Sequence, residues 1–125
     1  MSELGYIQGL YHARDLYRAN AEHAIAAGEY RKASEILWGA VAQQLKALAA
    51  RHNIVITSHR QFFDFLRQLS SELGDRPLYE DFIALNALHK NFYDEIIPSD
   101  AFPGFYQKAI EYIVRLETLA AGAKG

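Results

Sequence analysis

Ala87-Leu88-His89-Lys90-Asn91-Phe92-Tyr93-Asp94 sets a histidine inside an apolar helical stripe. The stripe reads Leu78, Phe82, Leu85, Leu88, Phe92 and Ile96, at the three-and-four spacing of one helix face. At about 100° per residue, His89 falls between Leu85 and Phe92 rather than on the polar side. Burying an imidazole without a hydrogen bond costs about 1–3 kcal/mol, so His89 needs a partner. A helix with one apolar face must be covered by others, and the rest of the chain supplies helices to do so.

The 125 residues suffice for one domain around a single core, over residues 1–121, with a frayed tail at 122–125. Half of the residues are hydrophobic and 22% are charged, as in ordinary globular chains. A net charge of −2 argues against electrostatic coating of nucleic acid, although it leaves room for a local basic patch. The lack of cysteine removes disulfides, thiol catalysis and Cys-based zinc sites together. No apolar run approaches the ~20 residues of a membrane span, and the first ten residues do not read as a signal peptide. The expected location is the cytoplasm.

Periodicity and punctuation predict five helices and no strand-rich region. The first runs from Glu3 to Ala27 and is closed by Gly28, and the second runs from Glu29 to His52 and is closed by Asn53. Ile54, Val55 and Ile56 are too few for a sheet and read as a packed connector. Ser58-His59-Arg60-Gln61 has the form of a capping box opening a third helix, which Gly74 ends. Pro77 suits the first turn of a fourth helix and Pro98 lies just past its end. A fifth runs from Pro103 to Ala121. The expected core includes Leu37, Val41, Leu48, Phe62, Leu66, Leu85, Phe92 and Ile113. Short connections predict an up-and-down antiparallel bundle, four core helices plus a fifth.

In that arrangement the second and fourth helices run parallel, with Gln44 and His89 at similar heights. Gln44 is then the preferred partner of His89, either as a buried polar pair fixing register or as part of a pocket between helices. Asn86, His89 and Tyr93 line one edge of the stripe, whereas Asn91 lies about 200° from His89 and should not share its pocket. The second helix also has a small-residue side, Gly39, Ala42 and Ala49, interrupted by Glu35 and Lys46. Another helix or a second subunit should cover it, and a homodimer is expected. Ser58 and His59 open a helix whose free amides could hold a phosphate with help from Arg60, although a plain capping box explains the same residues. Lys46 and Tyr93 are expected at the same end, which makes Lys46, Ser58, His59, Arg60 and Tyr93 the candidate ligand-binding set. No metal-ligand spacing, nucleophile elbow or phosphate-cradling glycine loop is present, so no cofactor and no catalytic residue is assigned.

Three blocks, Ala33 to Ala49 (Ala-Ser-Glu-Ile-Leu-Trp-Gly-Ala-Val-Ala-Gln-Gln-Leu-Lys-Ala-Leu-Ala), Ser58-His59, and Leu88 to Asp94, resemble the PaREP family over roughly residues 15–118. This mostly archaeal group is placed in the HEPN-like superfamily. The resemblance implies a helical bundle, often dimeric, in a superfamily associated with nucleotide or RNA handling and with toxin–antitoxin and defence systems. A nucleotidyltransferase-like protein is the kind of partner it implies. By position it carries over Glu35, Trp38, Lys46, Ser58, His59, His89, Asn91 and Tyr93 as the characteristic polar and aromatic set. The superfamily's ribonucleases carry an arginine a few residues before a histidine in the last core helix. Here Ala84 stands five residues before His89, and no arginine occurs between Pro77 and Pro98. Arg18 and His23 have the spacing but lie in the first helix, with Ala19 where a polar residue belongs. The sequence therefore leans away from an enzyme. Its leading reading is a non-catalytic module that binds a nucleotide, RNA or a protein partner. A metal-independent ribonuclease using His89 or His59, and a structural dimer, are the alternatives.

Overall fold

Five helices account for nearly all of the described residues, 3–123, of the computed structural model. They are α1 (Glu3–Ala26), α2 (Tyr30–Arg51), α3 (His59–Leu73), α4 (Arg76–Asp94) and α5 (Phe102–Gly122). No strand occurs among the described residues, so Ile54 to Ile56 is a connector as expected. The tail expected from residue 122 falls partly outside the described residues, and Gly122 itself still belongs to α5.

The helix ends follow the punctuation in the sequence. Gly28 (φ +74°) and Gly74 (φ +63°) take the left-handed conformation that a side chain would resist, which stops α1 and α3. Asn53 does the same after α2, at φ 61°. Gln61 reaches back across the start of α3, and its Oε1 accepts from the Ser58 amide at 3.1 Å and the Thr57 amide at 2.6 Å. The end of α4 is less regular. Glu95 closes it at φ 50°, a conformation that costs a non-glycine residue about 1 kcal/mol and needs local support.

Packing centres on α2, which α1, α4 and α5 all cover. Leu37, Val41, Leu45 and Leu48 are fully buried there, with Ala33, Ala40, Ala47 and Ala49. Part of the small-residue side of α2 is covered within the chain, since Gly39 lies against the Tyr17 ring of α1.

Side-chain contacts fix the helix directions. Arg31, Ser34 and Glu35 near the start of α2 meet Phe92, Asn91 and His89 near the end of α4, so α2 and α4 are antiparallel. The expected parallel arrangement is wrong because α2 and α3 do not form a tight hairpin. The connector 52–58 folds back along α2, letting His59 reach Trp38 while Phe65 meets His52. Hence α3 runs in the direction of α2, and α4 runs against both, with Arg67 bonded to Tyr79 and His59 against His89. α5 runs against α4, with Tyr112 donating to the Leu78 carbonyl at 2.6 Å and Lys108 meeting Asp81 at 3.2 Å. Burial pushes the Tyr112 phenol well above its ordinary range.

Of the expected core, Leu37, Val41, Leu48, Phe62, Leu66, Leu85 and Ile113 are buried, whereas Phe92 is 37% exposed; Ile96, the last of the expected stripe, lies past the end of α4 and is 49% exposed. The antiparallel arrangement explains this. The last turn of α4 stands beside the first turn of α2, and no turn of α2 remains beyond it to cover Phe92. No helix among the described residues is long and apolar enough to cross a membrane.

Candidate functional site

Glu35, Trp38, Ala42 and Lys46 recur at three- and four-residue intervals and form one stripe along α2. Phe82, Asn86, His89 and Tyr93 form the matching stripe on α4. The start of α3 brings His59 to both. Trp38 forms the floor, only 5% exposed, with its ring 5.1 Å from Phe82. Above it the two imidazoles lie side by side, with His59 5.8 Å and His89 6.0 Å from the indole and 5.4 Å from each other. Tyr93 stands edge-on to His89 at 5.6 Å and is itself exposed.

His89 does not pair with Gln44. Its Nδ1 lies 2.9 Å from both carboxylate oxygens of Glu35, and the two side chains are about one-third exposed. The expectation of a buried histidine is thus corrected to that of a half-buried one with an acidic partner. Its Nε2 has no protein partner among the described residues. Gln44 is fully buried on another side of α2, where the Arg14 guanidinium donates to its Oε1 at 2.6 Å. Arg14 also meets Glu117 at 3.1 Å and covers the Tyr11 ring. Gln44 therefore belongs to the junction of α1, α2 and α5 and plays no part in the site. The useful signal was the pair of charges on the small-residue side of α2, Glu35 and Lys46, which share a face with Trp38.

Lys46 does meet Ser58 and His59. Together with Ile56, Thr57 and Phe62 they line a cavity of about 230 Å³ where the connector enters α3. Arg60 does not line it, being largely exposed and 3.6 Å from Asp64. Tyr93 was expected at this end and is not there. It lies by the start of α2, where Arg31 donates to the Tyr93 carbonyl at 3.2 Å and to the Phe92 carbonyl at 2.6 Å. The row His59, His89, Tyr93 nevertheless connects the two places.

Asn91, expected on another side of α4 from His89, is buried and serves the fold. Its Nδ2 donates to Ser34 Oγ at 2.9 Å, and its Oδ1 accepts from the Ile97 amide at 2.7 Å. No group of three or more His, Cys, Asp or Glu side chains among the described residues could hold a metal ion. The arrangement offers stacking faces, one acid-paired imidazole, a second imidazole beside it, and a lysine.

Comparison with known proteins adds a family. No curated protein and no solved structure matches the chain. The model of one family, described as archaeal PaREP1/PaREP8, matches residues 11–114, most of the length. The chain belongs to the archaeal PaREP1/PaREP8 family.

Proposed function

We propose that the protein is a HEPN-like helical module that binds a nucleotide or RNA across the α2–α3–α4 face. The observation that carries this reading is the set of three rings, Trp38, His59 and His89, within 6.0 Å of one another beside the cavity of Lys46. An exposed imidazole, a half-buried one and a phenol beside a buried indole suit a nucleobase, which stacks on any flat polarisable face. Lys46 and the first amides of α3 suit the attached phosphate. The resemblance to HEPN-like proteins supports the same class of ligand. The test is titration of AMP, ATP and short RNA against wild type, Lys46→Ala and His59→Ala by calorimetry. At least fivefold weaker binding in both variants is expected, and equal or absent binding in all three refutes the site.

A second reading, metal-independent ribonuclease, is favoured by the Glu35–His89 pair. A carboxylate on Nδ1 orients an imidazole and leaves Nε2 to exchange protons with a substrate, and His59 is close enough to act as the second acid–base group. RNA cleavage in EDTA, abolished by His89→Ala, is the expected sign of it. Intact RNA after prolonged incubation with purified protein removes it.

A further inference from the structure

A second, larger cavity lies at the far end of the ring row. It holds about 900 Å³ between the start of α2 and the end of α4, lined by Tyr30, Arg31, Lys32 and Tyr93 among others. Tyr93 belongs to both places, since it lines this cavity and touches His89. His59 plays the same part at the other end, lining the Lys46 cavity and touching His89. The two cavities are thus joined by three rings in consecutive contact, at steps of 5.4 and 5.6 Å.

We infer that the two cavities are the ends of one groove for a single-stranded polynucleotide, with the mutually tilted His59 and His89 rings, and the Tyr93 ring set edge-on to His89, each offering a separate stacking face between them. This rests on the nucleotide-binding reading above and extends it from a mononucleotide to a strand. The row spans at most about 11 Å. With one base against each ring, the row takes about three bases. One phosphate-bearing nucleotide in each cavity brings the footprint to about five.

Each cavity offers one uncommitted cation, and the Glu29 and Glu95 carboxylates also line the second. Lys46 serves the first cavity. In the second, Arg31 is already committed to the Phe92 and Tyr93 carbonyls and to Glu95. Lys32 is the available charge there, because it is 62% exposed and only 3.9 Å from Glu29, a loose pair. Two phosphate contacts give a shallow salt dependence, a slope of about −1.4 in log K against log salt. Most of the affinity then comes from stacking, each base contributing about tenfold or more.

The experiment is fluorescence anisotropy with labelled AMP, A2, A5 and A8 RNA, and A5 DNA, against wild type, Lys32→Ala, Tyr93→Ala and Lys46→Ala. All three side chains are outside the core, so the variants should fold. The expected result is at least tenfold tightening from AMP to A5 and none from A5 to A8. Lys32→Ala and Tyr93→Ala should weaken A5 three- to tenfold and leave AMP unchanged, whereas Lys46→Ala weakens both. A5 DNA bound as tightly as A5 RNA assigns the groove to single strands of either sugar, and tenfold weaker binding assigns it to RNA. AMP binding that Lys46→Ala abolishes, with no gain from length, overturns the strand and leaves the nucleotide site. Wild-type protein that binds none of the probes overturns both.

Discussion

Asn91 joins the end of α4 to the start of α2, and its removal tests the antiparallel arrangement directly. The relay runs from the Ile97 amide to Asn91 Oδ1, from Asn91 Nδ2 to Ser34 Oγ, and from the Ser34 hydroxyl to the Tyr30 carbonyl at 2.7, 2.9 and 2.8 Å. Asn91 and Ser34 are both buried, so water cannot readily replace what is lost. Asn91→Ala removes two hydrogen bonds worth about 1 kcal/mol each and leaves the Ile97 amide short of an acceptor. The better helix propensity of alanine returns about 0.5 kcal/mol. The expected loss is about 2–3 kcal/mol, or roughly 8–11 °C in Tm for a chain of this length. Asn91→Asp should be worse at neutral pH. The Ser34 proton is committed to Tyr30, so a buried carboxylate would face a lone pair instead of a donor. Urea unfolding followed by circular dichroism measures both. A cycle with Ser34→Ala should show about 1 kcal/mol of coupling. An Asn91→Ala loss below about 0.5 kcal/mol, or no coupling to Ser34, would refute the relay and with it the antiparallel contact of α2 and α4.

Tyr112→Phe should cost about 1 kcal/mol by deleting the bond to the Leu78 carbonyl, read from the urea midpoint. Because burial raises the folded Tyr112 pKa above the ordinary phenol value of 10.0, its contribution is intact below pH 10 and lost as pH rises above it. Wild type should therefore lose stability more steeply than Tyr112→Phe above pH 10, in parallel urea titrations. Gly39→Ala should stabilise by about 0.5–1 kcal/mol, since the new methyl meets the Tyr17 ring at an ordinary 3.4 Å. Gly39→Leu has no such space and should lower Tm by forcing α1 off α2. Phe92→Ser should cost under about 1 kcal/mol whereas Leu88→Ala costs about 2–4, a contrast that thermal unfolding of the two variants would show.

Local signals in the sequence carried the elements, and the directions depended on something else. Gly28, Ser58, Gln61, Gly74 and Pro77 each act within a few residues, so the five helices were legible from one strand of text. The direction of α3 depends on the path of the connector 52–58, and no residue in it marks the difference between a hairpin and a fold-back. From that one ambiguity came the wrong orientation of α2 against α4, the wrong partner for His89, the misplaced Tyr93 and the exposure of Phe92. Glu35, Trp38, His59 and His89 do meet, because their periodic positions fix which face each presents whichever way the helix runs.

The energetics separate the site from the fold. Trp38 is buried and packed on Phe82, so its ring belongs to the core as well as to the site floor, and truncating it would confuse loss of binding with loss of structure. His59, Tyr93, Lys32 and the half-buried Lys46 project from that floor, and stability depends little on side chains that water reaches in the folded state. A cluster of imidazole and phenol rings left open over a buried indole is thus inexpensive to alter and carries little of the folding free energy. Substitutions at these positions should change binding while leaving Tm within a few degrees. If they instead unfold the protein, the rings are part of the core, and the face between α2, α3 and α4 is closed to any ligand.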